Sequence, residues 1–110
     1  MYGQFRLSEI LIKTSQSDDP AQVAAAQQKA EGVRGEIRRG GEFADLARAT
    51  SQGPTAVQGG DIGCFNHGQL PESLERVVLH MKTGDVSDVL RTQQGFAILQ
   101  VTDHKETPKV

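Results

Sequence analysis

From Gln4 to Lys13 apolar side chains first alternate with polar ones and then run together. Phe5 and Leu7 flank Arg6, and Ile10-Leu11-Ile12 is continuous. Period-two alternation predicts a half-buried strand, and the unbroken run predicts burial on both faces toward its end. Ser15–Asp19 reads as a polar loop. Asp19 as N-cap and Pro20 as first helical residue then predict a helix start, since the N–H that proline lacks has no intrahelical partner there. Val23, Ala26, Ala30, Val33 and Ile37 recur at steps of three and four, one face of an amphipathic helix. Arg38-Arg39 complement its dipole and Gly40-Gly41 end it. Gly32 and Gly35 weaken its last turns by about 1 kcal/mol each relative to alanine, which suggests a need for close packing.

Residues Glu42–Thr50, with Phe43, Leu46 and Ala47 on one face, predict a second, short helix. Ser51–Gly60 carries three glycines and a proline and reads as the longest loop. Asp61–Gly68 holds Ile62 and Phe65 among turn residues, and periodicity leaves it open between a short helix and an extended loop. Another helix begins at Pro71, with Leu74, Val77, Val78 and Met81 at helical spacing. Thr83-Gly84-Asp85 is a turn. Val86–Leu90 and Phe96–Val101 are expected strands joined through Thr92–Gly95 as a hairpin. The polar tail from Thr102 is expected to fray. Strands paired at one end with helices between argue for α+β with a small, mostly antiparallel sheet.

The chain's 110 residues amount to one domain, residues 1–110, with one modest core. A net charge of −2 provides no concentrated basic face, so nucleic acid is not an expected partner. No apolar run approaches the roughly 20 residues that span a bilayer, so membrane insertion is not expected. Cys64 is the single cysteine and leaves the redox compartment open. Met1-Tyr2-Gly3-Gln4 enters the first strand with no basic-then-apolar leader, which favours a domain excised from a longer exported chain over a cytoplasmic protein.

Five blocks in order carry more. Phe43-Ala44-Asp45-Leu46-Ala47, Gly59-Gly60-Asp61-Ile62-Gly63-Cys64-Phe65, Gly68-Gln69-Leu70-Pro71, Lys82-Thr83-Gly84-Asp85-Val86-Ser87 and Thr92-Gln93-Gln94-Gly95-Phe96 together resemble the parvulin (PpiC, SurA-like rotamase) family of peptidyl-prolyl cis-trans isomerases. The likeness extends over residues 5–103. Gly59, Gly60 and Gly63 would allow sharp turns and a close backbone approach to a groove, and Asp61 would accept bonds from backbone N–H groups in that turn.

The resemblance implies a four-stranded sheet surrounded by about four helices. It implies assistance to the folding of unfolded or exported polypeptides, with proline-containing extended chains as partners and no cofactor or metal. It also implies the periplasm if the domain comes from an exported bacterial chaperone. Mapped position by position, its apolar proline pocket falls on Ile62, Leu70 and Leu74, and the substrate-binding set adds Phe65 and Gln94. The catalytic positions fall on Glu9, Gly53, Thr92 and Ala97, with Gln52 the fallback for Gly53. Glu9 and Ala97 stand where the family has histidines, and Gly53 where it has Asp or Cys; only Thr92 agrees. Weak isomerase activity is the expectation, and restoring histidine at 9 and 97 should raise it. The alternative is a non-catalytic polypeptide-binding module that kept the fold.

Simpler readings stand beside these. Leu74 suits the core face of a helix, and Glu9 a solvated strand position. Cys64 has no base that sequence can place beside it. His67, His80 and His104 lack metal-ligand spacing, although His67 lies next to the pocket segment. The glycines at 59, 60 and 63 lack the Gly-Lys-Ser/Thr that a phosphate loop needs. No Arg/Lys pair in the groove segments suggests phosphate recognition. A plain interaction domain working through its sheet edge is a third possibility.

Overall fold

The structure is a computed structural model and describes residues 3–14, 19–66 and 68–106. Strand β1 (Gly3–Lys13) leads through helix α1 (Pro20–Arg38) and helix α2 (Phe43–Thr50) to a single 3-10 turn at Ala56–Gln58. Strand β2 (Asp61–Asn66), helix α3 (Glu72–Leu79), strand β3 (Leu90–Thr92) and strand β4 (Gly95–Glu106) follow. The sheet runs β2-β1-β4-β3 and every pairing is antiparallel. With three α-helices and one 3-10 turn around four strands, this is the expected α+β architecture.

The continuous apolar run in β1 has the predicted consequence. Ile10, Leu11 and Ile12 are all at most 2 % exposed, because β1 is a central strand covered on both faces. Ile10 and Ile12, with Phe96 and Ile98 of β4, pack under α1 and α2 against Ala26, Ala30, Val33, Phe43 and Ala47. Phe5 and Leu7, with Leu99 and Val101, pack on the other face against Val78 of α3. Fully burying side chains of this size stabilises the fold by about 1.5–3 kcal/mol each. α1 starts as expected: the Asp19 carboxylate accepts from the Gln22 N–H at 2.9 Å, and the Gln22 side chain accepts from the Asp19 N–H at 3.3 Å. This is a reciprocal capping box.

Several expectations are corrected. Asp61–Asn66 is neither helix nor loop but edge strand β2, pairing with residues 4–8 of β1. Its two glycine-bracketed apolar residues are too few for periodicity to register, and its strand state comes from a partner distant in sequence. Of the expected strand Val86–Leu90 only Leu90, the first residue of β3, is in a strand; Val86–Val89 is not. Ser87 breaks that ladder, its Oγ accepting from the Leu99 N–H at 2.9 Å, and only a lone bridge joins Val86 to Gln100. The Arg34 guanidinium of α1 donates to the Ser87 carbonyl at 2.7 Å and fixes this irregular segment.

The tail from Thr102 does not fray at once: β4 continues to Glu106, paired with the start of β1. The register shifts between Arg6 and Leu7, and the Thr102 hydroxyl donates to the Arg6 carbonyl at 3.1 Å. Pro71 caps α3 from outside instead of opening it, and Met81 packs on the core from beyond its end. Finally, Gly32 is not closely packed: a Cβ there would meet nothing within 4 Å, and one at Gly35 only the flexible end of Arg39 at 3.8 Å.

Candidate functional site

On the α3 face of the sheet, residues of β1 alternate so that Phe5, Leu7, Glu9 and Leu11 point the same way. Leu7 is fully buried and Leu11 is 1 % exposed, whereas Glu9 is half-buried. Beyond it opens a cavity of about 570 Å³. Its walls are Glu9 from β1, Pro71, Ser73 and Leu74 from the start of α3, and Arg91, Thr92, Gln93 and Gln94 from β3 and the hairpin. Leu74 is placed by α3, whose Val78, one turn on, is fully buried against the sheet. That anchor leaves Leu74 at the rim, half-buried and in contact with the core cluster.

Of the residues singled out from sequence, Glu9, Leu74, Thr92 and Gln94 share this cavity. Ile62, Phe65 and Leu70 are not among its walls, but all three are half-buried and pack on the same apolar cluster as Leu74. They are neither scattered nor sealed away. Gly53 and Ala97 also lie off the cavity wall. A Cβ at Gly53 would sit 3.5 Å from the Leu11 Cβ, and Ala97 pairs with Leu11 across the β1–β4 ladder. Positions 53 and 97 thus converge on Leu11, the next residue along the Glu9 face. Ala97 is fully buried, so a histidine there would have to displace its neighbours, and overpacking of this kind typically costs about 1–3 kcal/mol.

The loop of residues 51–60 holds the outer edge of β1 where β2 ends. The Leu11 N–H donates to Ser51 Oγ at 3.0 Å, the Gln52 N–H to the Leu11 carbonyl at 2.7 Å, and the Lys13 N–H to Gln52 Oε1 at 2.7 Å. Gln52 is therefore occupied in pinning the strand. The Glu9 N–H donates to the Gly60 carbonyl at 2.8 Å. Gly60 has φ +86°, and a Cβ there would press into the Glu9 carbonyl oxygen, so the close approach expected of the glycine-rich turn is real at this position. At Gly63 it is not: the residue needs its positive φ, but nothing lies within 4 Å of a Cβ. Asp61 accepts from the Gly63 N–H at 3.0 Å, as expected in that turn, and also from the Arg6 guanidinium. These two bonds, the Arg6 one foremost, hold its carboxyl below the usual range.

The polar equipment of the cavity is mostly neutral. The Thr92 hydroxyl donates to the Gly95 carbonyl at 3.1 Å and accepts from the Gln94 and Gly95 N–H groups at 3.2 Å, closing the hairpin. Glu9 is not the solvated strand residue that alternation suggested. Burial pushes its carboxyl up, and among the described residues no hydrogen-bond or ion-pair partner meets it. Among the described residues no imidazole and no thiol lines the cavity. Cys64 and His80 are exposed, and His67 lies outside the described residues. Among the described residues no group of three or more His, Cys, Asp or Glu could hold a metal, and no helix is long and apolar enough to cross a membrane. Sequence reading missed Pro71, Ser73, Arg91 and Gln93 as wall residues; their only signal was nearness in sequence to Leu70, Leu74 and Thr92.

Comparison with known proteins places this geometry. The chain is 38% identical over 103 residues to the chaperone SurA of Nitrosococcus oceani, covering 94% of this chain and 24% of that protein. It therefore spans about a quarter of that curated relative. A crystal structure of a PpiC-type peptidyl-prolyl cis-trans isomerase domain superposes with a TM-score of 0.83 at 28% identity, covering 94% of this chain and 93% of that one. The parvulin domain of PpiD from E. coli gives 0.72 at 28% identity, with 94% and 90% covered. The family described as Rotamase, PPIC-type PPIASE domain, matches residues 10–103. With the sheet, the helices and the glycine-rich turn all in agreement, the chain belongs to the PpiC-type, or parvulin, family of peptidyl-prolyl cis-trans isomerase domains.

Proposed function

We propose that the domain binds extended, proline-containing polypeptide in the cavity bounded by Glu9, Leu74, Thr92 and Gln94, and speeds X–Pro isomerisation only modestly. The observation that carries this reading is Leu74: an apolar side chain, half-buried at the cavity wall and continuous with Ile62 and Leu70 through one cluster. Isomerisation needs no covalent step. The imide bond must rotate through a barrier of about 20 kcal/mol, and at the twisted midpoint resonance is lost and the carbonyl becomes less polar. An apolar side chain against the imide favours that midpoint over the planar bond, which is differential binding of the transition state. The described wall residues offer no imidazole to steady the ring by hydrogen bonds, and each 1.4 kcal/mol forgone is about tenfold in rate.

On this reading the domain is one part of a longer chaperone that assists the folding of exported chains in the periplasm, a role supported by its likeness to SurA. The second reading, a module that binds polypeptide without catalysis, is favoured by Glu9 and Ala97 at the family's histidine positions. Glu9→His is the cleaner test of the two restorations, because position 9 is half-buried and position 97 is not. Exchange NMR on an Ala-Pro peptide should register a faster rate for Glu9→His, and a slower one with weaker binding for Leu74→Ala. If neither substitution changes rate or affinity, these side chains do not serve the peptide.

A further inference from the structure

Glu9 occupies the cavity without a counter-charge, and this bears on which peptides the cavity takes. Among the described residues that line it, two are ionisable, Glu9 and Arg91. Among the described residues no ion pair joins them. Arg91 pairs with Phe96 in the β3–β4 ladder and its guanidinium lies over the Phe96 ring, 4.8 Å from the centroid. Phe96 belongs to the cluster under α1 and α2, while Glu9 pairs with Leu99, a residue of the opposite cluster. The Arg91 guanidinium is thus engaged by the Phe96 ring, while Glu9 lies in the register of the other cluster. The remaining polar walls, Ser73, Thr92, Gln93 and Gln94, are neutral.

We propose that Glu9 is a specificity residue: the cavity selects polypeptides in which a lysine or arginine flanks the proline, the ligand's cation pairing with the Glu9 carboxylate while the ring rests near Leu74. This rests on the cavity being the polypeptide site. The physical case is one of compensation. A carboxylate withdrawn partly from water has lost hydration without regaining a partner, and a cation brought by the ligand restores it in a medium where the attraction is stronger than in bulk water. A ligand glutamate would meet like charge and be disfavoured. The burial that pushes the Glu9 carboxyl up has the same origin and is relieved by the same cation.

The test is a titration of the full chain, read by amide shifts, with end-blocked Ala-Xaa-Pro-Ala and Ala-Pro-Xaa-Ala peptides in which Xaa is Lys, Gln or Glu. The lysine peptide should bind about tenfold more tightly than the glutamine peptide at one of the two positions, with glutamate weakest. In Glu9→Gln the Lys-to-Glu ratio should collapse to within about twofold, and in Glu9→Lys it should invert. A preference unchanged in Glu9→Gln, or no preference in the unsubstituted chain, overturns the proposal. If the glutamine peptide still shifts Leu74 and Thr92 amides in that case, the cavity reading survives alone. If no peptide shifts them, both fall.

Discussion

Two carboxylates a few residues apart in the sheet respond to pH with opposite signs. Burial raises the Glu9 pKa in the folded state, so its contribution is fully present below the unfolded value near 4.3 and is lost as pH rises through the raised value. Once ionised, the side chain works against folding. Glu9→Gln should therefore unfold at higher denaturant than the parent at pH 7, and the gap should close below about pH 4; a constant gap would mean the effect is not ionisation. The Arg6 bond and the Gly63 N–H depress Asp61, so its contribution is present above the unfolded value near 3.9 and is lost as pH falls through the depressed one. Gly60 tolerates no side chain. Its φ of +86° and its contact with the Glu9 carbonyl both exclude a Cβ. Gly60→Ala should cost about 2–4 kcal/mol in chemical denaturation, and a loss under 1 kcal/mol would contradict the geometry.

The secondary structure was readable where one element decides its own state. α1 has a cap at Asp19, a stripe from Val23 to Ile37 and a glycine stop, and the structure agrees residue for residue on the buried face. β2 and the segment before β3 were unreadable for a common reason. Asp61–Asn66 is a strand because residues 4–8 lie beside it, and Val86–Val89 is not one because Ser87 and Arg34 take ladder positions with side chains. Such long-range hydrogen bonds leave no periodicity. Gly32 was misread from the other direction, as a packing glycine, when its surroundings are open. Gly32→Ala should stabilise the domain by about 0.5–1 kcal/mol, seen as a higher melting temperature; destabilisation would indicate a contact that the structure lacks.

For the molecule as a whole, the five sequence blocks identified the family because four of them are backbone requirements: glycine-rich turns, a hairpin and a helix start. The site was less legible. Leu74, Thr92, Gln94 and Glu9 were found by position and do meet at one cavity, whereas Ile62, Phe65 and Leu70 support that wall from the cluster behind it. Gly53 and Ala97 converge on Leu11 instead, a relation that depends on strand register and could not be seen in residue order. The result is a parvulin scaffold with a cavity whose described walls carry the apolar Leu74 and the Glu9 carboxylate.

Whether that cavity turns over proline is open to a single titration: an X–Pro peptide added to the domain while cis–trans exchange and amide shifts are recorded in the same NMR samples. The account predicts shifts centred on Glu9, Leu74, Thr92 and Gln94, and a small rate gain that rises in proportion to occupancy. Shifts confined to the outer edge of β2 or to α1, with the cavity amides unmoved, would contradict it.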